Sequence, residues 1–143
     1  LIFQANLGAV AEINRLIIPK MKKKKWGRVV HISSLATSFM KGNPPYISAK
    51  YALEGYVKRM SKEYSKNNII INAISPGLID IKKRYFSNLK KNNYKQFKSF
   101  LDHHIDIKRL SNLKEISQVI VFLCSEHSSY MPGSIVKVDG QGN

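Results

Sequence analysis

Apolar residues follow two different spacings along this chain. Segments rich in β-branched residues predict strands, because such side chains fit a pleated sheet: residues 28–33, 69–74 and 134–138. Apolar residues three or four positions apart predict helices, because they then share one face: residues 1–21, 46–65 and 112–123. Strands that alternate with helices in this way predict parallel βαβ units with right-handed crossovers. The pattern therefore predicts an α/β fold around a parallel sheet.

Local signals predict where these elements end and how they are connected. Pro19 is expected to loosen or end the first helix, because proline removes a helical hydrogen bond. Residues 35–45 are expected to form a loop, because glycine, asparagine and two prolines interrupt regular structure there. Asn112 and Glu115 have the spacing of a capping box at the start of the last helix. Residues 80–110 are polar and basic, so we expect a mobile segment or one that covers a substrate.

Length and composition limit the architecture and the compartment. With 143 residues, of which 43% are hydrophobic, the chain is long enough for one domain. No run approaches the roughly 18 apolar residues of a membrane span, so we expect no transmembrane helix. Cys124 is the single cysteine, which excludes a disulfide framework and fits a reducing cytoplasm. Cys124 lies in an apolar helix and is expected in the core; His31 is expected to be packed rather than to bind a ligand.

A formal net charge of +15 raises the question of a polyanionic partner. Nineteen of the 24 basic residues are lysines, and they are scattered along the chain. Arginine, the usual bidentate reader of phosphate and guanine, is scarce. No recognition helix, zinc-finger spacing or stacking platform accompanies the charge. We therefore expect a solvated basic surface without a nucleic-acid partner, whereas a nucleic-acid-binding module would show tight, salt-sensitive binding.

Tyr46 and Lys50 stand one helical turn apart in the second predicted helix, so their side chains share a face. An ammonium a few Å from a phenol favours the phenolate, which suits a tyrosine to acid–base catalysis near neutral pH. The spacing alone is a weak signal, because this composition gives about one Tyr-x-x-x-Lys match by chance. Tyr94 and Lys98 form a second match, to which we assign no role.

The predicted sheet places other candidate groups near Tyr46 and Lys50. Ser34 follows the first predicted strand, and the Pro76-Gly77 turn follows the second. Ligands of open parallel sheets bind outside the carboxyl ends of the strands. A hydroxyl, a tyrosine, a lysine and a backbone turn are therefore expected to converge on one crevice. His103 and His104 have no partner at metal-ligand spacing, so we expect no metal site.

Five motifs in order resemble the short-chain dehydrogenase/reductase family, and together they extend over nearly the whole chain: residues 6–7, 29–34, 46–50, 72–77 and 138–140. The resemblance is to the second, catalytic half of that family. It implies a Rossmann-like, doubly wound parallel sheet of which only about three strands and their helices are present. The ending of the chain, with the Pro-Pro-Tyr at residues 44–46, is also similar to bacterial members found with surface-polysaccharide biosynthesis.

The resemblance implies a role for each of four side chains in a carbonyl/alcohol interconversion. Tyr46 would donate a proton to the substrate carbonyl or remove one from the alcohol. Lys50 would favour the tyrosinate and hydrogen-bond the nicotinamide ribose. Ser34 would hold and polarise the substrate oxygen, and Asn6 would position a water that links the lysine to solvent. The cofactor would be NAD or NADP, with Tyr46 and Lys50 among its binding residues.

The same resemblance implies that Pro76, Gly77, Leu78 and Ile79 lie against the nicotinamide, with backbone groups holding its carboxamide. The family often has a threonine at the position of Ile81, where this chain offers no hydroxyl. The glycine-rich phosphate turn is not among these 143 residues. NAD and NADP therefore cannot be distinguished from this sequence.

A partial domain has physical consequences. Residues 1–143 are expected to form part of a Rossmann domain whose first strand exposes an apolar edge. By themselves they are expected to bind dinucleotide poorly and to aggregate. A truncated, inactive chain is the alternative to an enzyme. When complete, the protein is expected to be a cytoplasmic homo-dimer or homo-tetramer that packs through the first two helices and acts on a small carbonyl or alcohol.

Overall fold

Three parallel strands form the centre of the computed structural model, which describes residues 1–40, 42–82 and 84–142. Lys41, Lys83 and Asn143 lie outside the described residues. The strands are β1 (Gly27–Ile32), β2 (Ile69–Pro76) and β3 (Ile135–Val138). The helices are α1 (Ala9–Lys24), α2 (Ala36–Phe39), α3 (Pro44–Tyr64), α4 (Tyr85–Asn92), α5 (Tyr94–His104) and α6 (Leu113–Leu123). A π-helical turn (Gln4–Gly8) precedes α1, and 3₁₀ turns (Ser65–Asn67 and Glu126–Ser128) follow α3 and α6.

The sheet has the order β1-β2-β3, and both pairs of strands are parallel. Gly27 of β1 pairs with Ile69, and Ala73 pairs with Ile135 at the start of β3. Helices α1 and α3 pack on one face of the sheet, and α6 packs on the other. This arrangement confirms the predicted α/β fold with a three-stranded parallel sheet. In the described part of the chain, none of the helices has both the length and the apolar character needed to cross a bilayer.

Strand β2 is buried because helices cover both of its faces. Ile71 packs in one core with Leu53 of α3, whereas Ile74 packs in another core with Ile116 of α6. Successive side chains of a strand point to opposite faces, so a central strand with two covered faces needs a continuous apolar run. The run at residues 69–74 meets that requirement, and the strand extends two residues further than predicted.

Pro19 does not end the first helix, which corrects the sequence prediction. Helix α1 continues past it to Lys24. Ile18 is buried and Met21 packs against the same core on the next turn. Burial of these side chains stabilises the helix on both sides of the proline, and this outweighs the hydrogen bond that the proline removes.

The predicted loop at residues 35–45 contains more helix than expected. Ala36–Phe39 forms the short helix α2, and α3 begins at Pro44 instead of Tyr46. The prolines that predicted a break occupy the first turn of α3. Proline suits that turn because the first N–H groups of a helix have no partner within it.

The basic segment predicted as mobile or substrate-covering contains α4 and α5. Phe97 and Leu101 of α5 are buried and pack with Ile105 and Leu110 in a small core of their own. Apolar residues recur three or four positions apart in both helices and pack in this core, so the segment is amphipathic and its periodicity is stronger than the sequence prediction assumed. That residues 80–110 cover a substrate stays a prediction.

The predicted capping box opens α6. Asn112 Oδ1 accepts from the Glu115 N–H at 3.0 Å, and the Glu115 carboxylate accepts from the Asn112 N–H at 2.9 Å. The Arg109 guanidinium donates to both carboxylate oxygens and, with the Asn112 N–H, lowers the pKa of Glu115 to about 2. At the other end of α6 the prediction for Cys124 is wrong, because this residue is exposed. Leu123, its neighbour, is the residue that turns into the core.

His31 is buried in a polar cluster between β1, α1 and α3. The Asn14 amide nitrogen lies 3.0 Å from His31 Nε2 and 3.3 Å from the Tyr56 hydroxyl. The histidine is 9% exposed, which confirms that it is packed. Desolvation by burial lowers the pKa of His31 to about 4, so the folded protein holds a neutral imidazole at pH 7.

The burial of His31 predicts a loss of stability in mild acid. An unfolded histidine has a pKa of about 6.5, so the unfolded chain binds more protons than the folded one between about pH 4 and about pH 6.5. The free energy of unfolding should be fully retained above that window and fall as the pH drops through it. Denaturation with urea should detect this loss, and His31→Gln should remove it.

Exposed His127 supplies the matched control. In His127→Gln, the free energy of unfolding should fall with pH as much as it does in the unaltered protein. An acid loss of equal size in both variants would contradict the assignment to His31.

Candidate active site

Tyr46 and Lys50 lie on one face of α3, as their spacing predicts. Lys50 Nζ lies 5.6 Å from the centroid of the Tyr46 ring. The lysine is 8% exposed, and its ammonium donates to the carbonyl of Ile32 at 2.6 Å. Desolvation by burial lowers the pKa of Lys50. The tyrosine and lysine are thereby placed at the carboxyl end of β1.

Ser34 follows the end of β1 and is held by its own backbone turn. Its Oγ accepts from the Ala36 N–H at 3.1 Å. Its carbonyl accepts from the N–H and hydroxyl of Thr37 at 3.1 and 2.9 Å. A hydroxyl that accepts a hydrogen bond still has its own proton to donate. Ser34 can therefore donate to an oxygen placed before it.

A carboxylate that the sequence analysis missed is linked to both sides of Ser34. Glu54 Oε1 accepts from the Ser33 hydroxyl and lies 3.1 Å from the hydroxyl of Thr37. Glu54 stands four residues after Lys50 on α3, so it continues the face that carries the tyrosine and the lysine. That spacing was the signal in the sequence that could have identified it.

Residues 76–79 leave the end of β2 and run beside Ser111. The Leu78 carbonyl accepts from the Ser111 N–H at 3.0 Å, and the Asp80 N–H donates to the Ser111 carbonyl at 2.8 Å. In such a parallel pairing, the residue between the two bonds turns its own N–H and C=O to the opposite side. Ile79 is that residue. None of the hydrogen bonds described for this segment uses its backbone groups, which form an adjacent donor and acceptor.

Backbone hydrogen bonds connect the ends of all three strands. The Leu35 N–H donates to the Pro76 carbonyl at 3.1 Å, and the Gly77 N–H donates to the Val138 carbonyl at 2.9 Å. Gly77 has no space for a side chain, because a Cβ there would lie 2.6 Å from the Asp139 Cα. The segment after β2 is therefore held in place by contacts on both sides.

Asn6 lies in the π-helical turn before α1, and its neighbour Leu7 packs against the core shared with α3. The Asn6 amide donates to the carbonyl of Ile2 at 3.0 Å, within its own helix. Single π-helical turns occur often at functional sites. No described hydrogen bond joins Asn6 to Lys50, so its predicted role in water positioning stays a prediction.

The carboxyl end of the sheet collects most of the predicted site residues. Ser34, Tyr46, Lys50 and residues 76–79 surround the ends of β1 and β2, and exposed Ile81 follows them. Together they present a phenol, an ammonium, a free hydroxyl proton and a backbone donor–acceptor pair. These groups can orient a polar ligand and exchange a proton with one of its oxygens.

Comparison with known families supports the family resemblance of the sequence. The family model described as enoyl-(acyl carrier protein) reductase matches residues 1–141. The chain belongs to the short-chain dehydrogenase/reductase family. The resemblance predicted from the sequence is thus confirmed at the level of the family.

Two curated relatives and one solved structure illustrate the match. The 3-oxoacyl-[acyl-carrier-protein] reductase of Aquifex aeolicus is 31% identical over 141 residues, which are 97% of this chain and 54% of the relative. Dehydrogenase/reductase SDR family member 4 of Oryctolagus cuniculus is 34% identical over 140 residues, which are 97% of this chain and 52% of the relative. The L-sorbose reductase of Gluconobacter frateurii, solved with NADPH and L-sorbose, has a TM-score of 0.86 and 31% identity, with 97% of this chain and 56% of that chain covered. The chain spans about half the length of these relatives.

Gly77→Ala tests the close approach of the strand ends. The added methyl group would meet the Asp139 backbone, so we expect the free energy of unfolding to fall by about 1–3 kcal/mol. Gly55 in α3 is the matched control, because a Cβ there meets no atom within 4 Å. Gly55→Ala should raise the free energy of unfolding by about 0.5–1 kcal/mol. Urea denaturation of both variants decides the matter, and a neutral Gly77→Ala would contradict the described contact.

Proposed function

We propose that this chain is the catalytic, C-terminal part of a cytoplasmic NAD(P)-dependent oxidoreductase that interconverts a carbonyl and an alcohol. The observation that carries the proposal is the buried ammonium of Lys50 beside Tyr46, at the carboxyl end of a parallel strand in a chain of this family. Perturbed, buried ionisable groups in such a position are typical of catalytic sites.

The residues present fit a nicotinamide cofactor. The backbone N–H and C=O of Ile79 are adjacent and unused by the described contacts, so they match the oxygen and the amide N–H of a carboxamide. Residues 76–79 would lie against the nicotinamide, and Lys50 and Tyr46 would bind its ribose hydroxyls. When bound, the cofactor supplies or accepts the hydride. Ile81 offers no hydroxyl at this site, so the backbone would hold the carboxamide by itself.

Proton transfer is assigned to the side chains on α3 and after β1. Tyr46 would give its phenolic proton to the carbonyl oxygen during reduction and take one from the alcohol during oxidation. Lys50 would stabilise the resulting phenolate, since its ammonium lies on the same helix face. Ser34 would donate its free proton to the same oxygen, because its own Oγ already accepts from a backbone N–H. Asn6 would position a water between the lysine and solvent.

The proposed complete enzyme is a homo-dimer or homo-tetramer that packs through α1 and α3. Ile13 and Leu16 of α1 are 56% and 54% exposed, and Tyr51 of α3 is 46% exposed, in addition to the faces that these helices bury. Exposed apolar surface on two neighbouring helices favours a protein contact. The substrate would be a small carbonyl or alcohol, such as a sugar derivative or an acyl-type ketone.

Replacement of Tyr46 tests the proposed proton donor. In the complete enzyme, Tyr46→Phe should lower kcat by several orders of magnitude, because general acid–base catalysis contributes about 10²–10⁴-fold. Cofactor affinity, measured by fluorescence titration with NADPH and NADH, should fall by no more than about tenfold, because the variant loses a single hydrogen bond to the ribose. Turnover is followed by cofactor absorbance with a panel of small ketones and keto-sugars.

Tyr130 is the control tyrosine, because it is 98% exposed and lies far along the chain from the site. Tyr130→Phe should leave turnover unchanged. Full turnover in Tyr46→Phe would refute the proton assignment. A complete enzyme that binds neither cofactor would support the alternative of an inactive chain.

A further inference from the structure

Glu54 occupies a distinctive place in the candidate active site. It stands four residues after Lys50 and eight after Tyr46, on the face of α3 that meets the end of β1. Lys50 stands between Tyr46 and Glu54 along α3. The Glu54 carboxylate therefore does not replace either of the groups assigned to the chemistry.

The Glu54 carboxylate joins the two residues that bracket Ser34. Its Oε1 accepts from the hydroxyl of Ser33, and it lies 3.1 Å from the Thr37 hydroxyl. The Thr37 hydroxyl is also 2.9 Å from the Ser34 carbonyl. One carboxylate oxygen therefore connects helix α3 to the residue before Ser34 and to the turn after it.

Burial makes these contacts hard to replace. Ser33 is 2% exposed and Thr37 is 4% exposed, so water has little access to either residue. Leaving a buried hydroxyl without a partner is unfavourable. If the carboxylate is removed, the Ser33 hydroxyl loses its acceptor while the Thr37 hydroxyl keeps the Ser34 carbonyl. The turn that carries Ser34 is then expected to shift until the Ser33 hydroxyl finds another partner.

The same turn has a second attachment to α3. The Tyr51 hydroxyl donates to the Thr37 carbonyl. The Leu35 N–H donates to the Pro76 carbonyl at 3.1 Å, which connects the turn to the segment after β2. The turn can therefore stay folded without the carboxylate while its position changes.

We infer that Glu54 is a positioning residue that fixes the Ser34 hydroxyl relative to Tyr46 on the same helix. The inference rests on the proposed function, because Ser34 matters only if its hydroxyl binds the substrate oxygen. Glu54 acts through Ser33 and Thr37 and does not touch the substrate. A small displacement of a catalytic group is enough to slow a reaction strongly.

Two replacements of Glu54 in the complete enzyme separate the hydrogen bonds from the packing. Glu54→Leu removes the acceptor and should lower kcat by about 10- to 100-fold, with the KM for the cofactor nearly unchanged. Glu54→Gln keeps an amide oxygen that can accept from the Ser33 hydroxyl, so it should retain most of the activity. Glu63→Leu is the matched control on α3, since Glu63 pairs with Arg59 at the surface.

A double-mutant cycle distinguishes positioning from a general structural effect. If Glu54 acts through Ser34, Glu54→Leu should lower kcat little further in the Ser34→Ala background. A full, additive loss in that background would overturn the inference. So would an unchanged kcat in Glu54→Leu, or a Glu54→Gln variant as slow as Glu54→Leu.

Hydrogen exchange measures the position of the turn without any turnover. The Ala36 N–H is bonded to Ser34 Oγ, so Glu54→Leu should speed exchange in the peptide that contains residues 34–39, and Glu63→Leu should not. Unchanged exchange would overturn the inference. If Tyr46→Phe keeps full turnover, the proposed function fails, and the exchange result alone still decides whether Glu54 holds the turn.

A further variant covers the case in which Glu54→Leu does not fold. Ser33→Ala removes the hydroxyl that donates to Glu54, keeps the carboxylate, and leaves the bond from the Thr37 hydroxyl to the Ser34 carbonyl in place. This variant should show the same fall in kcat and the same faster exchange. A Ser33→Ala variant with normal kcat and normal exchange would overturn the inference.

Discussion

The ammonium of Lys50 is buried, since the residue is 8% exposed. Burial disfavours the charged form, and the resulting desolvation lowers the pKa of Lys50. The Ile32 carbonyl, 2.6 Å away, compensates part of that cost. The contact exists only while α3 packs on the sheet, where its main neighbour is β2. The shared core of Leu53 of α3 with Ile71 of β2 and Val29 of β1 therefore helps to fix where the ammonium lies. Because Tyr46 is on the same helix face, the apolar core also fixes the tyrosine relative to the end of the strand.

The rest of the sheet edge follows from how the strand ends are joined. Bonds from Leu35 to Pro76 and from Gly77 to Val138 connect β1, β2 and β3 just where each strand ends. Ser111 then holds the next residues, which turns the free backbone groups of Ile79 to the other side. Backbone contacts on both sides therefore hold the segment after β2 in place at the site.

The sequence predicted the order of elements because β-branched runs and amphipathic spacing are local signals. The ends of elements were less predictable, since packing decided them: Ile18 and Met21 keep the helix intact around Pro19. Cys124 was misplaced because periodicity does not define which residue of a last turn faces the core. Tertiary packing thus explains why the end of α1 and the exposure of Cys124 differ from the sequence predictions.

The candidate site likewise contains groups that the sequence predicts and groups that it does not. Tyr46 and Lys50 were found because a spacing of four on a helix is readable from sequence. Glu54 has the same spacing and was missed, because its partners Ser33 and Thr37 are brought to it only by the turn after β1. The backbone groups of Ile79 have no sequence signature at all, since any residue carries them.

The structure of the complete enzyme with a nicotinamide cofactor bound tests the proposed site most directly. We expect the nicotinamide to lie against residues 76–79, with its carboxamide on the Ile79 backbone and its ribose hydroxyls at Lys50. A nicotinamide bound elsewhere, with the Lys50 ammonium out of reach of the ribose, would contradict the proposed site.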